Sequence, residues 1–141
     1  MTWLLDSNVV SEWKKPNADA RVRKWLLAVT ERELFISVVT IAELRSGIDR
    51  LPMGERRRNL DTWLTNDIVF RFQGRVLGID ETIANICGQK LALANLSRDA
   101  RSTMDVWIAA IATHHELTVV TRNVRDFEHL DVRIFNPWLE G

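Results

Sequence analysis

The sequence predicts an α/β sandwich with a mostly parallel central sheet. Short apolar segments of extended character alternate along the chain with longer segments of helical periodicity. This alternation is typical of strand–helix–strand units, in which helices cover a parallel sheet. The chain has 141 residues, enough to bury a core, and we predict a single domain over residues 1–141.

Five segments are predicted as strands. Residues 3–5 form an apolar strand that ends at Asp6, and residues 34–37, 76–79 and 117–121 form further strands. Residues 132–135 precede Pro137 and are predicted as an edge strand. Because ligands gather at the carboxyl ends of strands in such sheets, Asp6, residues 37–40 and residues 121–123 are expected along one rim.

Helices are predicted between these strands. A short helix follows Ser7 and stops before Pro16, and residues 22–29 have the apolar spacing of an amphipathic helix. Residues 41–51 form the next helix, which Pro52 and Gly54 close. Further helices are predicted around residues 60–64 and over 81–95 and 104–115.

Composition excludes several classes of protein. Hydrophobic residues make up 46% of the chain, and 19 basic residues balance 19 acidic ones, so no global positive field drives non-specific nucleic-acid binding. The single Cys87 cannot form an internal disulfide, which favours a reducing compartment. No targeting segment is visible, and the longest apolar run, residues 106–112, is too short for a membrane span. A cytoplasmic protein is expected.

Asp6 directly follows the first predicted strand, at the start of a helix. A carboxylate at the edge of a core is costly unless it is paired, capped or bound to a metal. Capping of the following helix is a common role of Asp at such a position. Position alone leaves helix cap and metal ligand equally open as interpretations of Asp6.

Glu43 and Asp105 also lie beside apolar helical segments. Residues 40–43 match a capping box, in which Glu at the third helical position bonds back to the cap residue, so capping is the favoured interpretation of Glu43 alone. Asp105 is predicted to open a helix that is apolar on nearly every face. The helix dipole favours a carboxylate there, but burial demands a cation as well, which favours a functional role.

All three acids are predicted to face one edge of the sheet. Clustered carboxylates repel each other, so one takes up a proton unless a cation neutralises the group. Oxygen ligands without His or Cys select Mg²⁺ or Mn²⁺ over zinc. The sequence therefore predicts a divalent cation held by carboxylates, an arrangement suited to phosphoryl chemistry.

Four segments resemble the successive motifs of PIN-domain proteins: residues 5–12, 37–47, 105–110 and 118–123. The chain is most similar to the VapC toxins of bacterial toxin–antitoxin pairs, in their FitB-like branch, which the ending over residues 135–138 also resembles. The similarity runs from residue 3 to 138. Each motif is short, but four in this order at suitable spacing are specific.

The resemblance implies a PIN-like three-layer α/β/α sandwich and a Mg²⁺- or Mn²⁺-dependent endoribonuclease. It also implies a homodimer, RNA as the substrate, and a cognate VapB-like antitoxin that blocks the active site and alone provides contact with DNA. The family's first three acids fall on Asp6, Glu43 and Asp105, as catalytic and metal-binding residues. A fourth acidic position falls on Asn123, which can ligate through its carbonyl oxygen but brings no charge. Asp126 is a substitute for it, although a turn role is preferred.

The remaining candidates support these acids. Asn8, Thr121 and Asn123 are predicted to orient ligands or water. Arg122 and Arg45 are candidates for phosphate contact, and Arg45 is equally suited to face the antitoxin. Two alternatives stay open: a degenerate PIN module that binds without cleaving, favoured by Asn123, and an aspartyl-phosphate phosphatase, disfavoured because Asn8 stands where a second acid is wanted.

Overall fold

A computed structural model of the chain describes residues 1–94 and 100–140. A 5-stranded sheet has the order β3-β2-β1-β4-β5, and every neighbouring pair is parallel. The strands are β1 (Trp3–Leu5), β2 (Leu34–Ser37), β3 (Val76–Leu77), β4 (Thr118–Val120) and β5 (Ile134–Phe135). The predicted α/β/α fold is confirmed, with a sheet that is parallel throughout.

Helices cover both faces of this sheet. Before β3 lie α1 (Ser7–Lys14), α2 (Ala20–Ala28), α3 (Val38–Asp49) and α4 (Glu55–Thr62), the last of which continues through a π-helical segment, Trp63–Ile68, into α5 (Val69–Arg71). After β3 lie α6 (Glu81–Ala94), α7 (Ala100–His115) and α8 (Pro137–Glu140). Short 3₁₀ turns occupy Glu31–Glu33 and Val124–Asp126.

Alternation along the strands divides the interior into two cores. Leu5 and Val120 face the core made with α1, α2, the π-helical segment and α8. Leu4 and Val119, their neighbours in sequence, face the core made with α6 and α7. Successive side chains of a strand point to opposite faces, so nearly continuous apolar strands are what a sheet covered on both sides requires.

The strand order creates a switch point beside β1. From β1 the chain proceeds outward through β2 to β3, and it then crosses to the other side of β1 to form β4 and β5. Crossover connections therefore leave β1 and β4 in opposite directions. The region outside the carboxyl ends of strands at such a switch point is the usual place for a ligand in an open α/β sheet.

Several predicted boundaries were wrong. The third strand ends at Leu77, and α3 begins at Val38, three residues before the predicted 41. Helix α7 begins at Ala100 and not at 104. In α3 the reason is local, because Ser37 caps the helix by accepting a hydrogen bond from the backbone N–H of Thr40 at 3.1 Å.

No helix in residues 1–94 or 100–140 is long and apolar enough to cross a membrane.

Loss of the Ser37 cap should destabilise the fold at the point that positions α3. The side chain is fully buried, so Ser37→Ala leaves a buried amide without its acceptor and should lower the free energy of unfolding by about 1–2 kcal/mol. Urea denaturation followed by circular dichroism measures this. The control is Ser46→Ala inside the same helix, where Ala is the better helix former. Equal stability of the two variants would contradict the assignment of the cap.

Candidate active site at the carboxyl ends of strands β1 and β4

Asp6 lies at the switch point, directly after β1, and is only 3% exposed. Its Oδ1 accepts a hydrogen bond from the backbone N–H of Ser7 at 2.8 Å, so Asp6 does cap α1. Its Oδ2 accepts a hydrogen bond from the hydroxyl of Thr121 at 2.8 Å and a longer one from the amide of Asn8 at 3.4 Å. One oxygen therefore serves the helix, and the other belongs to a polar cluster between β1 and β4.

Asn8 and Thr121 complete this cluster. The Asn8 amide donates to the Thr121 hydroxyl oxygen at 3.3 Å, and its Oδ1 accepts from the backbone N–H of Arg122 at 3.3 Å. The backbone N–H of Asn123 donates to the Thr121 hydroxyl oxygen at 3.0 Å. The turn after β4 is thus bound to the first turn of α1, and the role of Asn8 and Thr121 as supporting residues stays a prediction.

Burial dominates the electrostatics of Asp6. Desolvation raises the pKa of its carboxyl group, against the opposing effect of the hydrogen bonds from Thr121 and Ser7. The negative charge of Asp126 raises the same pKa further. Asp126 closes the 3₁₀ turn that begins after Asn123, so it is a turn residue and also acts on Asp6. The hydrogen bonds to Asp6 therefore do not fully offset the effects of burial and of the Asp126 charge on its carboxylate.

Glu43 lies one turn beyond the cap of α3. The predicted capping box was wrong, because Ser37 is the N-cap, and Glu43 lies in the second turn of the helix. The hydroxyl of Thr40 donates to the carbonyl of Leu5 at 3.4 Å, which holds the start of α3 against the end of β1. Glu43 is half-buried and shares with Ser7 the lining of a cleft of about 700 Å³ between α1, α3 and α4.

Asp105 lies in the second turn of α7, and the prediction that it opens this helix was wrong. It is half-buried. The neighbouring Met104 and Trp107 line a groove with Val39 and Ala42 at the start of α3. Asp105 therefore lies in the part of α7 that packs beside the helix carrying Glu43.

These acids do not form a closed metal cage. Among the residues that the structure describes, no three His, Cys, Asp or Glu side chains are grouped closely enough to hold a metal ion together. The donor set nevertheless fits a hard cation, because Asp6 offers buried carboxylate oxygens and a second acid, Asp126, acts on it. Mg²⁺ commonly binds proteins through one or two carboxylates and keeps several waters.

The two candidate arginines differ in their contacts. Arg45 forms ion pairs with Asp61 at 2.7 Å and with Asp49 at 3.1 Å, so it joins α3 to α4. Arg122 is exposed, and its guanidinium carbon lies 5.4 Å from the ring centroid of Trp138. Phosphate contact by either residue stays a prediction.

Sequence analysis did not assign the residues that surround the cleft to the site. Lys14, Lys15 and Arg56 contribute to its lining, and Leu44 and Trp63 supply apolar surface. Isolated basic pairs and runs are usually solvated surface, and only the packing of α4 against α3 brings these side chains to one cleft. Trp138 was likewise recognised only as part of a motif, because its contact with Arg122 joins residues on different elements.

Comparison with known proteins agrees with this architecture. The family model described as "PIN domain" matches residues 3–133. The toxin FitB of Neisseria gonorrhoeae is 38% identical over 135 residues, which cover 96% of this chain and 97% of that protein. The VapC ribonuclease Y4jK of Sinorhizobium fredii is 35% identical over 135 residues, 96% of each chain.

A solved structure of FitAB bound to the IR36 DNA fragment contains a chain that superposes with a TM-score of 0.87. The two chains are 36% identical, and the match covers 97% of this chain and 96% of the other. Family model, relatives and superposition all span nearly the same residues. The chain belongs to the PIN-domain family, in the group that includes the FitB toxin and a VapC ribonuclease.

Proposed function

We propose that this chain is the toxin of a toxin–antitoxin pair and acts as a Mg²⁺- or Mn²⁺-dependent endoribonuclease. The observation that carries the proposal is the buried Asp6 carboxylate at the switch point of a PIN fold. Burial raises the pKa of this carboxyl group, and a bound cation would stabilise its charged form. The similarity to a VapC ribonuclease supports RNA as the substrate. Such an enzyme would act in the cytoplasm, where its substrate lies.

Asp6, Glu43 and Asp105 would hold the cation, directly or through water. When bound, a divalent cation activates water as a nucleophile and neutralises negative charge on the scissile phosphate. In-line attack would leave a 5′-phosphate and a 3′-hydroxyl. The protein's part is to keep the acceptor oxygens oriented, and the hydrogen bonds of Thr121 and Asn8 to Oδ2 do this for Asp6.

We propose that Asn123 and Asp126 together take the role of the family's fourth acid. Asn123 follows Thr121 closely, but it supplies no charge. Asp126 is exposed, and its charge acts on Asp6. We infer that Asp126 provides the missing negative charge at longer range and that Asn123 orients water.

A VapB-like antitoxin and a second copy of the chain are the proposed protein partners. The relative FitB occurs with FitA in a DNA-bound structure. By analogy, DNA contact would come through the partner, in keeping with the balanced charge of this chain.

A degenerate PIN module is the second candidate. It is favoured by the neutral Asn123 and by the lack of a three-acid group among the described residues. Such a module would bind RNA or antitoxin without cleavage.

Removal of the Asp105 carboxylate separates the two candidates. Asp105→Asn keeps the shape of the side chain but removes its charge, and RNA cleavage in Mg²⁺ should fall by about 100-fold or more. Cleavage of a labelled RNA measures this, with the exposed Asp67→Asn as control. EDTA should abolish wild-type cleavage. Undiminished cleavage by a folded Asp105→Asn variant would refute the mechanism.

The raised pKa of Asp6 predicts a pH-dependent gain in stability for Asp6→Asn. The folded chain binds this proton more tightly than the unfolded chain, so stability from this group is present at acid pH and is lost as pH rises through the raised pKa. Metal-free wild type should therefore lose stability relative to Asp6→Asn as pH rises. Thermal unfolding in EDTA from about pH 4, near the ordinary pKa of Asp, to about pH 8 measures the difference. Parallel curves would argue against the burial effect.

The fourth position can be tested by moving its charge. Asn123→Asp should tighten Mn²⁺ binding by about tenfold, because it adds an anionic ligand beside Thr121. Asp126→Asn should weaken Mn²⁺ binding and lower the pKa of Asp6, because it removes a repulsive charge. Calorimetric titration with Mn²⁺ measures both affinities. If neither substitution changed the affinity, the fourth position would have no role in the site.

A further inference from the structure

We propose that Trp138 is a positioning residue that holds the guanidinium of Arg122 at the rim of the Asp6 site, where Arg122 binds a phosphate of the RNA. This inference rests on the proposed function, because it assigns a phosphate-binding contact to the same site. Arg122 lies in the turn after β4, and Trp138 lies in the helix α8.

The backbone of Arg122 is fixed to the site. Its N–H donates to Oδ1 of Asn8 at 3.3 Å, and the preceding Thr121 donates its hydroxyl to Asp6. The backbone N–H of Thr121 donates to the carbonyl of Phe135 at 3.0 Å. The backbone of Arg122 is therefore fixed next to Thr121, the residue that contacts the buried Asp6 carboxylate.

The side chain of Arg122 has a different environment from several arginines of this chain that form ion pairs. Ion pairs to Asp or Glu engage Arg45, Arg57, Arg71 and Arg75. Over the described ranges, no carboxylate lies within ion-pair distance of Arg122. Its guanidinium instead lies over the ring of Trp138, 5.4 Å from the centroid. This contact restrains the cation without neutralising it.

Trp138 is itself held in place by burial and by the hydrogen bonds of the short helix α8. Trp138 is 5% exposed and packs into the core that contains Leu5 and Val120. Its backbone N–H donates to Oδ1 of Asn136 at 2.9 Å, and the backbone N–H of Asn136 donates to Glu140 at 3.0 Å. A reciprocally capped turn with Pro137 at its first position leaves the indole little freedom.

A guanidinium beside an aromatic ring keeps its N–H donors for a second ligand. Cation–π attraction restrains the long side chain, and the planar fork can still donate two parallel hydrogen bonds to phosphate oxygens. Prior ordering of the side chain reduces the entropy lost on binding. The exposed fork fits the oxygens of a phosphate, and the adjoining carboxylate site is where the ester bond of that phosphate would be cut.

The experiment measures binding of a fluorescently labelled single-stranded RNA to the full chain carrying Asp105→Asn, so that cleavage does not interfere. Trp138→Leu should weaken binding by about two- to fivefold. Trp138→Phe retains a ring and should recover part of the loss. Arg122→Ala should weaken binding by about tenfold. Adding Trp138→Leu to Arg122→Ala should then weaken RNA binding no further, because Trp138 acts through Arg122.

Two controls separate positioning from folding. Trp25→Leu makes the same substitution in the same core, beside Trp3 and Phe135, and should leave RNA affinity unchanged. Arg122→Lys keeps the charge but loses the planar fork that stacks on the ring, so Trp138→Leu should weaken binding less in this variant than beside Arg122. Thermal unfolding of each variant verifies that the fold persists.

The outcomes distinguish this inference from the proposed function. An equal loss from Trp138→Leu with and without the Arg122 guanidinium, or no loss at all, would overturn the positioning role. Absence of RNA binding by the parent chain would also overturn it. RNA binding with the expected dependence on both residues, but no cleavage by the wild type in Mg²⁺ or Mn²⁺, would overturn the nuclease assignment and leave the contact standing.

Discussion

The hydrogen bond from the Thr121 hydroxyl to Asp6 joins two residues that are 115 positions apart in the sequence. It is possible only because β1 and β4 are adjacent and parallel, so that both chains leave the sheet at the same edge. Strand pairing sets the register of Leu5 against Val120, and the residue that follows each strand enters the polar cluster. This one contact joins the start of α1 to the turn after β4. The same turn carries Arg122.

Burial makes the site electrostatically unfavourable when the protein stands alone, and the hydrogen bond from Thr121 offsets this only in part. Asp6 retains a hydroxyl and an amide as donors on Oδ2, and burial still raises the pKa of its carboxyl group. Neutral donors orient a carboxylate without removing its charge, whereas an arginine would remove the charge and occupy the position of a cation. In the described structure the nearby guanidinium of Arg122 is held against Trp138. Such an arrangement favours binding of a cation and lowers the stability of the chain when no cation is bound.

Sequence reasoning predicted the order of elements because apolar periodicity survives in every strand and in most helices. It identified Asp6, Asn8 and Thr121 because each directly follows or flanks an apolar strand, and the end of a strand is a local feature. It misplaced Glu43 within its helix because Thr40 resembles an N-cap, whereas Ser37 both ends β2, as predicted, and caps α3. It misplaced Asp105 because α7 begins earlier, at Ala100. It could not find the contact between Arg122 and Trp138, which depends on how α8 packs in three dimensions.

The corrected positions of Glu43 and Asp105 bear on their roles. At a helix start, unpaired backbone N–H groups and the helix dipole satisfy a carboxylate, and capping explains it fully. In the second turn those N–H groups bond to carbonyls four residues earlier, so the helix offers the side chain little. A half-buried acid in the second turn must therefore obtain its compensation from other elements or from a ligand. Both Glu43 and Asp105 occupy such positions, on neighbouring helices that flank the end of β1, which makes a helix-capping explanation of these two acids untenable.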